Sequence, residues 1–518
     1  MKFSHVTPSA RATGAALTVS LVLLSGCRVG PKYVRANLPA APPAAYKENQ
    51  VGSDDARGNG WRQARPEDAM LRGKWWQAFE DDELNALEEQ LNINNQNIKQ
   101  YFQNYMAARA VVRNAHASLY PSISFAPSLD LQGQGNQSTA TATTSTTGSS
   151  GTGTTGTTLG STTSQSYSLP FSASWEPDLF GKVRNTIRED ANAAQVSAAN
   201  LANETLSEQT SLAEYYFELR GQDALQELYD KTSATYRETL RLTQTLYRTG
   251  VDSEQDVAQA ETNLRTAEAN SSAVAITRGQ YEHAIALLIG QAAGNFSVPV
   301  SPLDAEPPYI PIGVPSQLLE RRPDIAAAER TMAEANALIG VGQAAYYPDI
   351  SLTASTGTQS SDIARLLNLS TGFWSFGSSA TETIFDAGAR RATVQQYKAQ
   401  YNADVAAYRQ TVLNAFKEVE DYLIASRQLA EQEQRQQLAI TSAQHYQRLA
   451  LTRYKTGVDT YLNVLTAQNS VFNSQETEVS LRTSRMTAAV QLIAACARSG
   501  RNHVAAPSFP VAMKMLGA

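Results

Sequence analysis

Cysteine and histidine are scarce in this sequence. Its 518 residues contain two cysteines, Cys27 and Cys496, and five histidines that are scattered along the chain. No HExxH, P-loop or Cys-x-x-Cys pattern occurs, and these spacings are the ones that reveal many metal, phosphate and redox sites in a sequence. We therefore predict no enzyme, no catalytic residue, no metal site and no cofactor apart from a covalent lipid. The histidines are His5, His116, His283, His445 and His503.

Neither charge nor hydropathy is extreme. There are 43 Lys and Arg residues against 49 Asp and Glu residues, for a formal net charge of -6, so the sequence predicts no nucleic-acid partner. The mean hydropathy of -0.34 excludes a membrane protein built from many spanning helices. A role at a membrane must therefore depend on another kind of segment.

The N-terminal residues indicate export and a lipid anchor. Lys2 and Arg11 precede an apolar run over 15–24, which is typical of a secretory signal and too short to span a bilayer. The run ends in Leu-Ser-Gly-Cys, which resembles a bacterial lipobox. We predict a signal peptide over 1–26, a lipid such as palmitate on Cys27, and a proline-containing tether over 27–75. An ordinary signal peptide with an incidental cysteine is the alternative.

The rest of the chain repeats itself. Leu-Tyr-Pro-Ser-Ile-Ser at 119–124 recurs as Tyr-Tyr-Pro-Asp-Ile-Ser at 346–351, and Tyr-Arg-Thr-Gly-Val-Asp at 247–252 recurs as Tyr-Lys-Thr-Gly-Val-Asp at 454–459. Such ordered self-similarity indicates two copies of one structural unit. We place the first repeat at 76–300, the second at 301–500 and a C-terminal tail at 501–518.

Each repeat contains a predicted β-hairpin, at 121–178 and 348–385. Apolar and hydroxyl side chains alternate along both, as a strand with two different faces requires. A Gly-, Ser- and Thr-rich loop over 133–166 joins the strands of the first hairpin. Strands of about 10 residues are long enough to cross a bilayer. Four strands cannot close a barrel unaided, so several chains would have to contribute; a soluble antiparallel sheet is the alternative.

Long helical segments follow each hairpin. Residues 182–249 and 389–456 contain almost no glycine and no proline, which predicts helices of about 100 Å each. Shorter return helices are predicted at 251–290 and 458–499, and further helices precede the hairpins at 83–118 and 322–345. Helices of this length do not belong to a compact domain.

These motifs together resemble the TolC-like outer-membrane efflux proteins, and in particular their NodT-type lipoprotein branch. The resemblance rests on the lipobox, Gly30-Pro31-Lys32-Tyr33, Trp75-Trp76, Arg321-Arg322-Pro323-Asp324-Ile325 and both Tyr-x-x-Gly-Val turns. It implies a mainly α fold with a transmembrane β part: a homotrimer with four strands per chain in a 12-stranded barrel, continued by a long α-helical barrel in the periplasm. It also implies a periplasmic membrane-fusion adaptor and an RND-type inner-membrane pump as partners.

The resemblance assigns roles to the two repeated turns. In the family these turns form the periplasmic tip where the adaptor docks, and here they centre on Gly250, Val251, Gly457 and Val458. Ordinary helix reversals without a partner are the alternative interpretation. The duplication of the whole six-residue motif favours the functional one.

The resemblance also implies a closed aperture at the tip. A tyrosine there is tied by a hydrogen bond to an aspartate on a neighbouring helix, and the matching positions are Tyr454 and Asp256; simple capping of the tip is the alternative. Relatives often place acidic residues just after the inner turn, whereas the matching positions here carry Asn463 and Thr466. Asp459 is the acid nearest this turn, so a cation-selective constriction is in doubt.

We interpret the chain as a passive exit duct for small molecules, such as drugs or toxic compounds, from a pump and adaptor across the outer membrane. It would be anchored in that membrane and extend into the periplasm. A structural stalk or adhesin and a protein-secretion channel are the rival interpretations. Copper export would favour methionine clusters, whereas the methionines are dispersed, for example Met70, Met106, Met332 and Met486.

Overall fold

The computed structural model describes residues 29–36, 46–47, 73–134, 162–308 and 322–497. The predicted signal peptide, Cys27, most of the tether, the centre of the Ser/Thr-rich loop and the tail at 501–518 lie outside these ranges. The chain divides into two units, one of Met1–Tyr33, Ala110–Ala191 and Glu334–Gln400, and the other of Val34–Arg109, Asn192–Ala333 and Tyr401–Ala518. The first unit holds the β-sheet, and the second holds most of the helical residues.

Helices account for most of the described residues. The long helices α3 and α6 have 67 residues each, or about 100 Å. None of the described helices is both long enough and apolar enough to cross a membrane. The helices are α1 (Asp82–Asn94), α2 (Gln96–Ala117), α3 (Lys182–Arg248), α4 (Glu254–Leu288), α5 (Pro323–Ala344), α6 (Ala389–Lys455) and α7 (Tyr461–Ala497).

The helix predicted at 83–118 is two helices, α1 and α2, because Asn95 interrupts it. Asn95 is buried and has an extended backbone, with φ -55° and ψ 129°. Its side-chain oxygen accepts a hydrogen bond from the Ile98 amide at 2.9 Å, and its side-chain nitrogen donates to the Leu288 carbonyl at 2.9 Å. The same residue therefore caps α2 and ties it to the end of α4.

The strands form one antiparallel sheet in the order β1–β3–β4–β5, with β2 also paired to β3. β1 and β2 are one strand in effect, since Phe125 pairs with Phe171 and Ser128 with Ser168 in the same frame. Ladder pairing lapses at Ala126 and Pro127, and the proline has no N–H to donate. The strands are β1 (Ser122–Phe125), β2 (Ser128–Gln134), β3 (Thr162–Trp175), β4 (Asp349–Ser360) and β5 (Gly372–Thr381).

The two faces of this sheet differ in chemistry. On one face, hydroxyl side chains pair across strands, as in Ser351 with Ser379 at 2.7 Å and Ser355 with Ser375 at 2.8 Å. The other face carries exposed large apolar side chains. The pairing frame places on that face Ile123, Phe125, Leu129, Leu131, Tyr167, Leu169, Phe171, Leu352, Trp374 and Phe376.

A buried ionic network fastens the segment between the repeats to the helical unit. Asp223 on α3 is fully buried and accepts from Arg278 on α4 at 2.6 Å and from the Ser301 amide at 3.0 Å. Arg220 donates to Asp223 at 3.2 Å and to the Pro299 carbonyl at 2.6 Å. Every buried charge in this set has a partner, which is the condition under which such a network stabilises rather than disrupts.

One buried acid in the helical unit lacks such partners. Glu88 of α1 is 0% exposed and lies on the same face as Leu84, Leu87 and Leu91. Within the described ranges, neither of its carboxylate oxygens has a hydrogen-bond partner. Burial raises the pKa of Glu88 well above its ordinary value, because an apolar environment favours the neutral acid.

We expect Glu88→Gln to stabilise the fold at alkaline pH. Because the folded pKa is raised, the stability that Glu88 contributes as a neutral acid is complete below its ordinary pKa of about 4.5 and is lost as the pH rises through the folded pKa. The variant cannot ionise, so its unfolding free energy should exceed that of the wild type by on the order of 1 kcal/mol at pH 8 and by less at pH 4. Thermal unfolding followed by circular dichroism measures this. Glu89→Gln, at an exposed neighbour, is the control, and an equal gain at both pH values would contradict the account.

Candidate functional site

The two predicted tip turns have the same backbone design. Gly250 ends α3 with φ 77° and Gly457 ends α6 with φ 71°. The amides of Gly250 and Val251 donate to the carbonyls of Tyr247 and Leu246, both at 2.9 Å, and the second turn repeats this pattern at 3.0 Å. This is the Schellman arrangement, in which a residue with positive φ lets the last helical carbonyls be satisfied. Among the described residues, apart from the chain neighbours, no atom lies within 4 Å of a Cβ added at either glycine, so the backbone angle is the reason for glycine there.

Both turns present a valine to solvent. Val251 is 60% exposed and Val458 is 68% exposed. The preceding tyrosines differ, although they hold the same place in the repeat, since Tyr247 is 45% exposed and Tyr454 is 1% exposed. The two turns therefore share an exposed valine, but only the second turn buries its tyrosine.

The Tyr454 hydroxyl is held by side chains of the first repeat. It donates a short hydrogen bond to the Asp252 carboxylate and lies 3.0 Å from the Thr243 hydroxyl. The ring packs with Ala260, Tyr461 and further residues of α7. Burial, followed by the hydrogen bond to Asp252, raises the pKa of Tyr454, so the hydroxyl keeps its proton at neutral pH.

The predicted pairing of Tyr454 with Asp256 is therefore wrong, because the Asp256 carboxylate is bonded to Ser253 instead. Its carboxylate accepts from the Ser253 hydroxyl at 2.7 Å and from the Ser253 amide at 3.3 Å, while the Asp256 amide donates to the Ser253 hydroxyl at 3.2 Å. This reciprocal capping box begins α4. The acid that meets the tyrosine lies four residues earlier, in the turn itself.

Two of the residues predicted to line the aperture, Asp459 and Asn463, are in contact, whereas the Thr466 hydroxyl donates to the Leu462 carbonyl at 2.8 Å. Asp459 is an ion-pair partner of Arg453 at 3.2 Å and accepts from the Thr460 amide at 2.9 Å. The side-chain nitrogen of Asn463 also donates to Asp459, and this bond is the main reason that the pKa of Asp459 is lowered. Asn463 and Thr466 are exposed. Asp459 is thus a charged acid that already has a cationic partner in its own chain.

A short N-terminal segment lies against the helices that flank the sheet. The Val29 amide donates to the Phe180 carbonyl at 3.2 Å, and the Asn185 side chain returns a bond to the Val29 carbonyl at 2.9 Å. Gly30 has φ 129°, and a Cβ there would lie 2.8 Å from the Gly340 Cα. Two glycines in contact therefore let the segment, which we call the strap (29–31), enter this groove.

The described residues of the tip turns and of the strap include neither a cysteine nor a cluster of potential metal ligands. Cys496 is partly buried against the apolar core of the helical unit. No group of three or more His, Cys, Asp or Glu residues that could hold a metal ion occurs among the described residues. Thr243 and Asp252 are the site residues that sequence reasoning missed; Asp252 was visible as the last residue of the repeated turn.

The fold and the turns define the class of protein: a channel-forming chain whose two-faced sheet continues into long helices with exposed reversals. The sequence model of the family described as "Outer membrane efflux protein" matches residues 87–291 and 314–498. The chain belongs to this family, and its two matched segments correspond to the two repeats. The predicted fold class, outer-membrane location and exit-channel function are confirmed. The lipoprotein branch stays a prediction.

Individual proteins agree with this assignment. The chain is 33% identical over 485 residues to "Probable efflux pump outer membrane protein TtgC" of Pseudomonas putida, covering 92% of this chain and 93% of the relative. Its structure is similar to that of the outer-membrane channel OprN, with a TM-score of 0.79, 26% identity and coverage of 92% and 99%. The open state of the Neisseria gonorrhoeae MtrE channel gives a TM-score of 0.74, 25% identity and coverage of 92% and 100%.

Proposed function

We propose that this channel, as a homotrimer, is the passive exit duct for small organic toxic molecules delivered by an inner-membrane pump through a periplasmic adaptor. The observation that carries the proposal is the two-faced sheet, whose hydroxyl face suits a water-filled lumen and whose apolar face suits lipid. Relatives about one third identical are named for toluene and antibiotic efflux. The chain performs no reaction of its own in this proposal, and the pump supplies the free energy.

A cation cargo is the second candidate. A relative 28% identical is named "Cation efflux system protein CusC" from Escherichia coli. Soft metal ions such as copper(I) are favoured by clustered methionine or cysteine, and the methionines of this chain are dispersed along the sequence. Organic molecules therefore remain the favoured cargo.

The tip valines supply the first test of the duct. We expect Val251→Asp with Val458→Asp to reduce docking of the adaptor by on the order of tenfold or more, because a carboxylate would replace an apolar contact surface. Cells that rely on this channel should then lose resistance to toluene or antibiotics while the channel stays in the outer membrane at its normal level. Val34→Asp, at a valine that is 72% exposed outside the turns, is the control. Unchanged resistance in the tip variant would contradict adaptor docking at these turns.

We also propose that the Tyr454 contact keeps the periplasmic aperture closed at rest. The support is its position: a buried tyrosine on α6 is bonded to Asp252 and Thr243, which belong to the other repeat. Opening the aperture would require these helix ends to move apart. A buried hydroxyl that lost both partners would be left unsatisfied, which costs about 1–3 kcal/mol.

Conductance in a planar lipid bilayer tests this latch. Tyr454→Phe combined with Asp252→Ala removes the contact and should raise the conductance above its resting value. Asp256→Ala alone should leave the conductance at its resting value, because Asp256 serves the helix cap and makes no hydrogen bond to Tyr454 among the described contacts. A resting conductance that the Asp252 double variant leaves unchanged would refute the latch.

The lipid on Cys27 is proposed on two grounds. The sequence before it resembles a lipobox, and the strap that follows is held by the bond from Val29 to the Phe180 carbonyl, in the link between β3 and α3, and by the contact of Gly30 with Gly340. Val29 lies two residues after Cys27, so an acyl chain on Cys27 would be attached close to the membrane-facing sheet. The strap would thus hold the lipid where a bilayer can receive it.

We expect Cys27→Ser to abolish acylation, since serine has no thiol to carry the thioether-linked lipid. Mass spectrometry of the N-terminal peptide should show acyl groups on the wild type and none on the variant. Cys496→Ser, at the other cysteine, should keep the acylated peptide. An unmodified Cys27 in the mature wild-type protein would disprove the anchor and leave the channel proposal standing.

A further inference from the structure

The sheet has two edges that none of the described strands of its own chain covers. β3 and β4 have partners on both sides, whereas β5 and the combined β1/β2 strand have one partner each within the described residues. An uncovered edge exposes a row of backbone donors and acceptors, and in a membrane these groups must be satisfied by another strand. In the homotrimer, β5 of one subunit therefore meets β1/β2 of the next. The open question is which residue faces which.

The internal repeat fixes the pairing register between the subunits, which we call the frame. Equivalent positions before the loops of the two repeats are separated by a constant number of residues. Helix α2 ends at Ala117 and α5 ends at Ala344. The following strands, β1 and β4, begin at Ser122 and Asp349. Both comparisons give the same spacing of about 227 residues, which the repeated Tyr-Pro motif also shows. The first strands of the two hairpins are thus aligned without a gap.

The segments after the loops are aligned just as firmly. Helices α3 and α6 start at Lys182 and Ala389, and each follows a glycine with positive φ, at 82° and 90°. The spacing here is about 207 residues, as in the repeated tip turns. The ladders agree, since Ser122 pairs with Ser174 and Asp349 pairs with Thr381. The second strands, β3 and β5, therefore also correspond residue by residue.

The pairing of β3 with β4 is the one contact between repeats in the sheet of a single chain. Its equivalent in the trimer is β5 of one subunit against β1/β2 of the neighbouring subunit. Ser172 pairs with Ser355, and Ser168 pairs with Gln359. We propose that, by the same frame, Ser379 faces Ser128 of the neighbouring subunit and Ser375 faces Gln132 of that subunit.

This frame agrees with the chemistry of both faces. It puts Phe376 opposite Leu131 on the apolar face, whereas a slip of one residue would put Phe376 opposite Asp130 or Gln132 and invert every side chain. On the polar face it puts Asp130 opposite Gly377, which leaves room for the carboxylate. The continuous hydroxyl surface of one chain then passes into the next without a break.

Disulfide trapping in the full-length channel tests the frame. In a Cys496→Ala background, the same four positions are used in two combinations. Ser128→Cys with Ser379→Cys, and Gln132→Cys with Ser375→Cys, join facing residues, whose Cα atoms are about 4.5–5.5 Å apart in antiparallel strands and within disulfide reach. The exchanged combinations, Ser128→Cys with Ser375→Cys and Gln132→Cys with Ser379→Cys, are about 13 Å out of step along the strand.

After mild oxidation, the facing combinations should migrate as covalent dimers and trimers on non-reducing gels and return to monomers with reductant. The exchanged combinations and each single cysteine should stay monomeric. Ser128→Cys with Thr381→Cys and Asp130→Cys with Ser375→Cys test slips of two residues in either direction. Stronger cross-linking of any of these than of the facing combinations would overturn the frame.

An internal control shows that oxidation has worked. Ser355 and Ser375 lie on adjacent strands of one chain with hydroxyl oxygens 2.8 Å apart, so Ser355→Cys with Ser375→Cys should lose its reactivity toward maleimide. If this control oxidises and the facing combinations remain monomeric, the proposal is wrong. The inference rests on the trimer and on no assumption about cargo, adaptor or lipid, so failure of those proposals leaves it untouched.

Discussion

A strand in a bilayer can satisfy its backbone groups only by pairing with another strand, and the rest of this structure follows from that constraint. In the part of the chain that the structure describes, the sheet has two uncovered edges, so their backbone groups must pair with strands of another subunit. The apolar face must lie toward lipid, which fixes the alternation along β1 to β5. Pro127 interrupts the pairing only locally, because the same pairing frame continues on both sides of it. Assembly of three copies is then a requirement of the fold and not an addition to it.

Much of this architecture could be predicted from the sequence, because strands and long helices depend on repeating patterns of apolar and polar residues. Alternation predicted the strands, and the near-absence of glycine together with the absence of proline predicted helices α3 and α6 nearly to their ends. The break at Asn95 escaped prediction, since asparagine also occurs at 92, 94 and 97 and the sequence does not show which of these side chains will be buried and used as a cap. Periodicity reports faces and lengths, whereas such interruptions depend on tertiary partners.

The tip illustrates a different limit. Motif position selected Asp256 as the partner of Tyr454, and the structure gives that place to Asp252. The sequence did contain a warning, because Ser253 and Asp256 have the spacing of a capping box. A carboxylate committed to a helix terminus is a poor candidate for a second strong hydrogen bond. Local capping chemistry therefore deserves weight against a positional match.

The strap has a consequence for the order in which the chain can mature. Pro31 accepts from Asn336, which is 305 residues away in sequence, and Val29 contacts Asn185 of the other repeat. Residues 29–31 therefore have no binding groove until helices from both repeats have been synthesised and packed. The strap can dock only late in folding, after the elements that form its groove have come together.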